Sequence, residues 1–184
     1  MRWRVRAGYF VAVVFLILAA PTPHSILWGG IVAAIGLAIR GAAAGHLRKY
    51  EALATTGPYA HTRNPLYLGS AFLAGGFAVA GHSWWAGSIV VLYFAVFYAA
   101  VMRNEESDLR ARFGELFNQY ATQVPLFFPR IADGTAQALP ESRRTEGFSW
   151  PQYRRNREYK ALLGTLGGLG ILWLRMWLRM RLGL

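Results

Sequence analysis

Residues Asn64–Met102 read NPLYLGSAFLAGGFAVAGHSWWAGSIVVLYFAVFYAAVM, 39 residues without an Asp, Glu, Lys or Arg. The run is interrupted once, at Gly81-His82-Ser83 just before the Trp84-Trp85 pair. A helix crossing the hydrocarbon core needs about 20 residues at 1.5 Å rise each, so the stretch predicts a helical hairpin of two somewhat short crossings. The pattern occurs once before, from Ala7 to Ile39, broken at Pro21-Thr22-Pro23-His24-Ser25. The first segment of that hairpin, Ala7 to Ala20, borrows length from its flank, where Arg2, Arg4 and Arg6 can snorkel to the headgroups. No clean small-residue cleavage site follows it, so it reads as a membrane helix and not as a signal peptide. A last apolar stretch, Ala161 to Leu174, carries Gly164, Gly167, Gly168 and Gly170 and runs into Arg175, Arg179 and Arg181. It is either a fifth crossing or an interfacial helix, and its glycines suit close helix contact. The expected fold is all-α, a polytopic membrane helix bundle of about five transmembrane helices, two hairpins plus a C-terminal helix.

Composition agrees. The chain has 184 residues, 54% of them apolar and 16% charged, against roughly 25% charged in an ordinary soluble domain. A water-soluble enzyme is disfavoured, and a disordered basic tail is excluded by 11 Phe, 9 Tyr and 7 Trp. Of the few charges, 20 are Lys or Arg and 9 are Asp or Glu, for a formal net charge of +11. That excess suggests an anionic surface as partner, and position decides which. With the N-terminus cytoplasmic, both tight turns lie outside and contain no Lys or Arg. The N-terminal tail, the central loop (Arg40, Arg48, Lys49, Arg63) and the stretch from Arg103 to Lys160 then share the cytoplasmic side, as the positive-inside rule requires. Anionic lipid headgroups are therefore the expected partner and nucleic acid is not. Cysteine is absent, and four scattered histidines offer no ligand spacing, so no metal site is expected.

The central loop ends in Thr55-Thr56-Gly57-Pro58-Tyr59-Ala60-His61-Thr62-Arg63-Asn64-Pro65-Leu66-Tyr67. Gly57-Pro58 signals a turn, and Pro65 suits the first turn of a helix. Asn64 is then a natural N-cap, a reading that stands beside a ligand-binding one. Arg63 could anchor to headgroups, and Tyr59 and Tyr67 could belong to an aromatic belt. Past the second hairpin, Leu109, Phe113, Leu116 and Tyr120 recur at helical spacing, so the helix is expected to continue out of the membrane. Glu105 and Glu106 sit where it emerges. Adjacent helical residues point about 100° apart, so one carboxylate can meet a cationic ligand while the other pairs with a local arginine. Val124-Pro125-Leu126-Phe127-Phe128-Pro129 cannot form an ordinary helix. It could fold back and close a pocket against the loop from Gly57 to Tyr67.

Taken in order, Gly57-Pro58-Tyr59, Arg63-Asn64-Pro65-Leu66-Tyr67, an apolar hairpin, Glu105-Glu106, Phe113-Gly114 to Tyr120 and Val124-Pro125 resemble the integral-membrane methyltransferases, the isoprenylcysteine carboxyl methyltransferases and phospholipid methyltransferases. The resemblance covers roughly residues 45–130. It implies S-adenosylmethionine bound in a pocket at the cytoplasmic rim of the bundle, with a lipid or lipophilic acceptor arriving from the bilayer. The cofactor-binding positions it implies are Glu51, Ala52, Leu53, Ala54, Tyr59, Arg63, Asn64, Pro65, Leu66, Tyr67, Glu105 and Glu106. Asn64 stands where the family usually has His. Isoprenylcysteine members carry a substrate arginine one helical turn before the glutamate pair, where this chain has Val101, and Arg103 is the nearest candidate for that role. The expected organisation is one membrane domain, 1–184, with the motif core at 45–130, a basic cytoplasmic segment at 131–160 and a membrane or interfacial helix at 161–184. Two other readings are a sterol-reductase-like enzyme using a nicotinamide cofactor, with Arg154-Arg155-Asn156-Arg157 as phosphate contacts or a headgroup patch, and a non-catalytic membrane scaffold.

Overall fold

The computed structural model describes residues 2–48, 51–130 and 147–182. Lys49 and the first part of the basic segment, 131–146, lie outside the described residues. Among those described the chain is helical, without strands: α1 (Arg2–Leu18), α2 (Pro23–His46), a 3₁₀ turn (Gly57–Ala60), α3 (Pro65–Gly81), α4 (Trp84–Phe113), α5 (Glu115–Gln123), α6 (Trp150–Arg155) and α7 (Tyr159–Leu182). Both expected hairpins form. Helices α2, α4 and α7 are long and apolar enough to cross a membrane. Helices α1 and α3 have 17 residues each, about 26 Å of helix against a hydrocarbon core of roughly 30 Å. Tyr9, Phe10, Trp28, Trp84 and Trp173 all point outward, Trp84 at 93% exposure. Such faces are costly in water and favourable in lipid, which marks a membrane protein.

The chain divides into two compact units. The first comprises Met1–Leu37, Ala71–Ala99 and Ala161–Leu184, the second Ala38–Ser70 and Ala100–Lys160.

In the first unit the turn residues build the helix starts. The Thr22 hydroxyl accepts from the Ser25 amide and the Ser25 hydroxyl accepts from the Thr22 amide, at 3.1 and 2.9 Å, a reciprocal cap with Pro23 at the first helical position. The Ser25 hydroxyl also donates to the Ala80 carbonyl at 3.0 Å. Small residues let α2 and α3 approach closely, since a Cβ on Gly76 would lie 2.7 Å from the Gly29 carbonyl oxygen and 2.8 Å from the Ala33 nitrogen. Helix α7 packs Gly168 against the Phe77 ring. Phe15, Ala19, Ala80, Ala86 and Leu172 form the buried core. Arg175 of α7 donates through Nε to the Ala19 carbonyl (3.0 Å) and through Nη2 to the Ile17 carbonyl (2.9 Å). It thereby satisfies carbonyls that the end of α1 leaves open.

In the second unit α4 continues past its apolar run, as expected, but only to Phe113. Gly114 has φ +54°, a left-handed conformation that ends α4 and starts α5 afresh. The helical spacing from Leu109 to Tyr120 is thus split between two helices. Helix α5 turns Phe117 and Tyr120 into a core with Leu53 and Val124. The segment after it is non-helical and pairs with the central loop: the Arg63 amide donates to the Pro125 carbonyl (2.9 Å) and the Arg130 amide to the His61 carbonyl (3.0 Å). Residues 148–158 fold onto the end of α2. The Ser149 amide, the Gln152 side chain and the Asn156 side chain donate to the carbonyls of Gly45, Leu47 and Ala44 respectively. These are carbonyls that a helix C-terminus leaves without partners.

Candidate functional site

The site is built on the loop between α2 and α3. Gly57 has φ +59°, and its Cα sits so close to His46 that a Cβ there would lie 2.5 Å from the ring. The turn it starts buries Tyr59 against Ala43 and Ala54. The Tyr120 hydroxyl donates to the Tyr59 carbonyl at 2.7 Å. Burial pushes the Tyr59 phenol up, as do the neighbouring Tyr120 and Glu105. Burial also pushes Tyr120 up, opposed by the positive charge of Arg63. Both therefore remain neutral hydrogen-bonding groups at physiological pH.

Asn64 immediately precedes α3, and its carbonyl accepts the Tyr67 and Leu68 amides at 3.1 and 3.0 Å. It holds the N-cap position, yet its side-chain amide donates across to the Leu126 carbonyl at 3.0 Å. Thr62 does the same work through its hydroxyl on the Phe127 carbonyl at 2.9 Å. The 124–129 segment thus braces the loop from behind. It contributes no side chain to the cavity described below, contrary to the expectation that it closes a pocket.

Tyr67, in the first turn of α3, donates its hydroxyl to Glu105 Oε2 at 2.6 Å. Glu106, one residue on and rotated away, meets Arg63 Nη1 at 2.9 Å, with side-chain exposures of 21% and 14%. The two carboxylates therefore take different partners, as their helical positions require. The Arg63–Glu106 contact is ionic without hydrogen-bond alignment, because Arg63 Nε and Glu106 Oε1 are both buried without a hydrogen-bond partner. Buried polar atoms of this kind call for a water or a ligand.

These groups surround a cavity of about 390 Å³, within the span of small-molecule sites. Ala52, Leu53, Ala54, Tyr59, Arg63, Asn64, Pro65, Leu66, Tyr67, Glu105 and Glu106 all line it. Glu51 and Arg103 do not: Glu51 is exposed and pairs with Arg155 at 2.8 Å, and Arg103 is exposed on α4. The wall also includes Arg40, Leu47, Arg48, Asp108, Leu109, Arg112, Phe113, Phe117 and Tyr120, none of them assigned from the sequence. Asp108, Leu109 and Arg112 follow Glu105 at helical spacing, a signal that was available. Arg40 had no such signal, because its carboxylate partner, Glu158, lies 118 residues away. Among the described residues, no three His, Cys, Asp or Glu side chains gather as a metal-holding group.

Residues 26–116 match the phospholipid methyltransferase family. Over 85 residues the chain is 40% identical to the nickel-cobalt-cadmium resistance protein NccN of Alcaligenes xylosoxydans xylosoxydans and 38% identical to the cobalt-zinc-cadmium resistance protein CzcN of Cupriavidus metallidurans. Each match takes in 46% of this chain and 39% of the relative, so the chain spans about two fifths of the length of the curated relatives it matches. No solved structure matches it significantly.

Proposed function

We propose, for a chain whose residues 26–116 match the phospholipid methyltransferase family, S-adenosylmethionine-dependent methyl transfer to a lipid or small lipophilic acceptor at the membrane interface. One observation carries the reading: four separated motif segments, at 52–54, 59, 63–67 and 105–106, supply side chains to a single cavity.

The residues suit the cofactor. Glu105, oriented by the Tyr67 hydroxyl, supplies a carboxylate for an ammonium or sulfonium group. The orphaned Arg63 Nε can donate to a carboxylate. Leu53, Leu109, Phe113 and Phe117 give the apolar wall that an adenine and a lipophilic acceptor need. When bound, S-adenosylmethionine supplies an electrophilic methyl group on a sulfonium. The protein's share is alignment and exclusion of water, which in-line displacement mainly requires. The neutral phenols of Tyr59 and Tyr120 hold the wall in place without adding charge beside the sulfonium.

On this reading the three long apolar helices and the two shorter ones, α1 and α3, all enter the bilayer, with α1 and α3 accommodated by thinning or snorkelling. The N-terminus and the main loops face the cytoplasm, where the basic residues meet anionic headgroups. No metal or nucleic acid is involved.

Calorimetric titration of detergent-purified protein with S-adenosylmethionine, S-adenosylhomocysteine and NADPH tests the cofactor. Saturable binding of the adenosyl ligands, lost in Glu105→Ala, is the expected result. Binding of NADPH alone overturns it in favour of a reductase, and binding of none in favour of a scaffold. A labelled-methyl assay against membrane lipids then identifies the acceptor.

A further inference from the structure

Arg40 stands on the cavity wall in the second half of α2, where an arginine could be taken for an anion contact. Its donors say otherwise. Nε and Nη2 meet the two oxygens of Glu158, Nη2 at 3.1 Å, while Nη1 donates to the Leu66 carbonyl at 3.3 Å and to the Ser70 hydroxyl. A guanidinium has five N–H donors, and four are used here. Glu158 is 8% exposed, and the two residues before it set its position. Arg157 before it adopts φ +54°, and Asn156 is tied to the Ala44 and Leu47 carbonyls at 2.8 and 2.9 Å. Leu66 and its neighbours Pro65 and Tyr67 belong to the cavity wall. One part-buried, bidentate ion pair therefore joins α2, the first turn of α3 and the entrance to α7.

We infer that Arg40 and Glu158 are positioning residues. Together they fix the first turn of α3, so that Tyr67 can hold Glu105 and the 64–67 wall meets the adenosyl ligand. The inference rests on the reading of the cavity as a methyl-donor site. It gives the segment around residue 158 a task inside the site, in addition to any contact with headgroups. Glu158 lies outside the stretch matched to the family, residues 26–116.

The test uses full-length protein in detergent or nanodiscs. Glu158→Gln and Arg40→Lys are each expected to raise the Kd for S-adenosylhomocysteine by about tenfold, the scale of lost hydrogen bonds to a charged group. They should raise KM for S-adenosylmethionine in parallel and leave KM for the acceptor unchanged. Arg175→Met, which releases the Ile17 and Ala19 carbonyls without touching Arg40 or Glu158, is the stability control. It should lower the melting temperature comparably and change Kd less than about twofold. Ser70→Ala removes one contact of Arg40 without unpairing a charge, which keeps the test open if the charge variants do not fold, and about a threefold rise is expected. Wild-type affinity in Glu158→Gln and Ser70→Ala overturns the inference alone, as does equal weakening in Arg175→Met. Absence of adenosyl-ligand binding in the wild type overturns the functional reading and this inference with it.

Discussion

Glu105 and Tyr67 make the sharpest test of the site, because they form one contact with two separable parts. The Tyr67 hydroxyl lies 2.6 Å from Glu105 Oε2. A hydrogen bond to a charged group contributes about 1.5–3 kcal/mol when sheltered. This pair is exposed, so solvent reduces it to about 1 kcal/mol, roughly fivefold in an equilibrium constant. If the hydroxyl acts only by orienting the carboxylate, Tyr67→Phe should weaken S-adenosylhomocysteine binding by about fivefold. Glu105→Gln keeps the shape but loses the charge, and should weaken binding by about ten- to a hundredfold, the range for a charge-assisted contact. The double variant should bind like Glu105→Gln, because the hydroxyl then has no carboxylate to hold. The coupling energy of the cycle would be about 1 kcal/mol. Isothermal titration of the four proteins at matched salt gives all the terms. Additive effects would refute the orienting role of Tyr67, and unchanged affinity in Glu105→Gln would remove the carboxylate from the site.

Other outcomes follow from the packing. Gly76→Val should abolish the close α2–α3 approach and sharply reduce recovery of monodisperse protein, whereas Gly164→Val, with open space around its Cβ, should be recovered normally on size-exclusion chromatography. Arg175→Met strands the Ile17 and Ala19 carbonyls, and should cost about 1–3 kcal/mol in the unfolding midpoint in mixed micelles. Tyr59 and Tyr120 both have phenols raised above the ordinary value of 10.0, so the folded state keeps protons that the unfolded chain loses. Their contribution is complete below pH 10 and is lost as pH rises above it. Melting temperature should therefore fall from pH 10 upward, less steeply in Tyr120→Phe, and a flat profile to pH 11 would contradict the burial of both groups.

The sequence was most legible where physics acts over a few residues. Uncharged runs marked the hairpins, and Thr22-Pro23-His24-Ser25 and Gly81-His82-Ser83 marked their turns, because lipid excludes charge and helices need caps. The ordered motifs found eleven residues of the cavity wall. Gly114 defeated the periodicity argument because the apolar spacing runs straight through it, and only a left-handed φ reveals the break. Asn64 was ambiguous for a good reason: it holds an N-cap position by its backbone while its side chain ties the loop to Leu126. Residues 148–158 were hidden within the basic segment at 131–160, since their hydrogen bonds go to main-chain carbonyls at the end of α2, which have no residue identity to recognise. The Arg40–Glu158 pair was illegible because nothing local in a sequence couples residues that far apart.

That long-range pair bears on how the protein can be divided. A fragment cut to residues 26–116 would contain Arg40 but not its carboxylate, and Tyr59 but not the hydroxyl of Tyr120. Chimeras with relatives should exchange the end of α2 together with the 148–158 stretch, as one cassette, because moving either half alone separates Arg40 from Glu158.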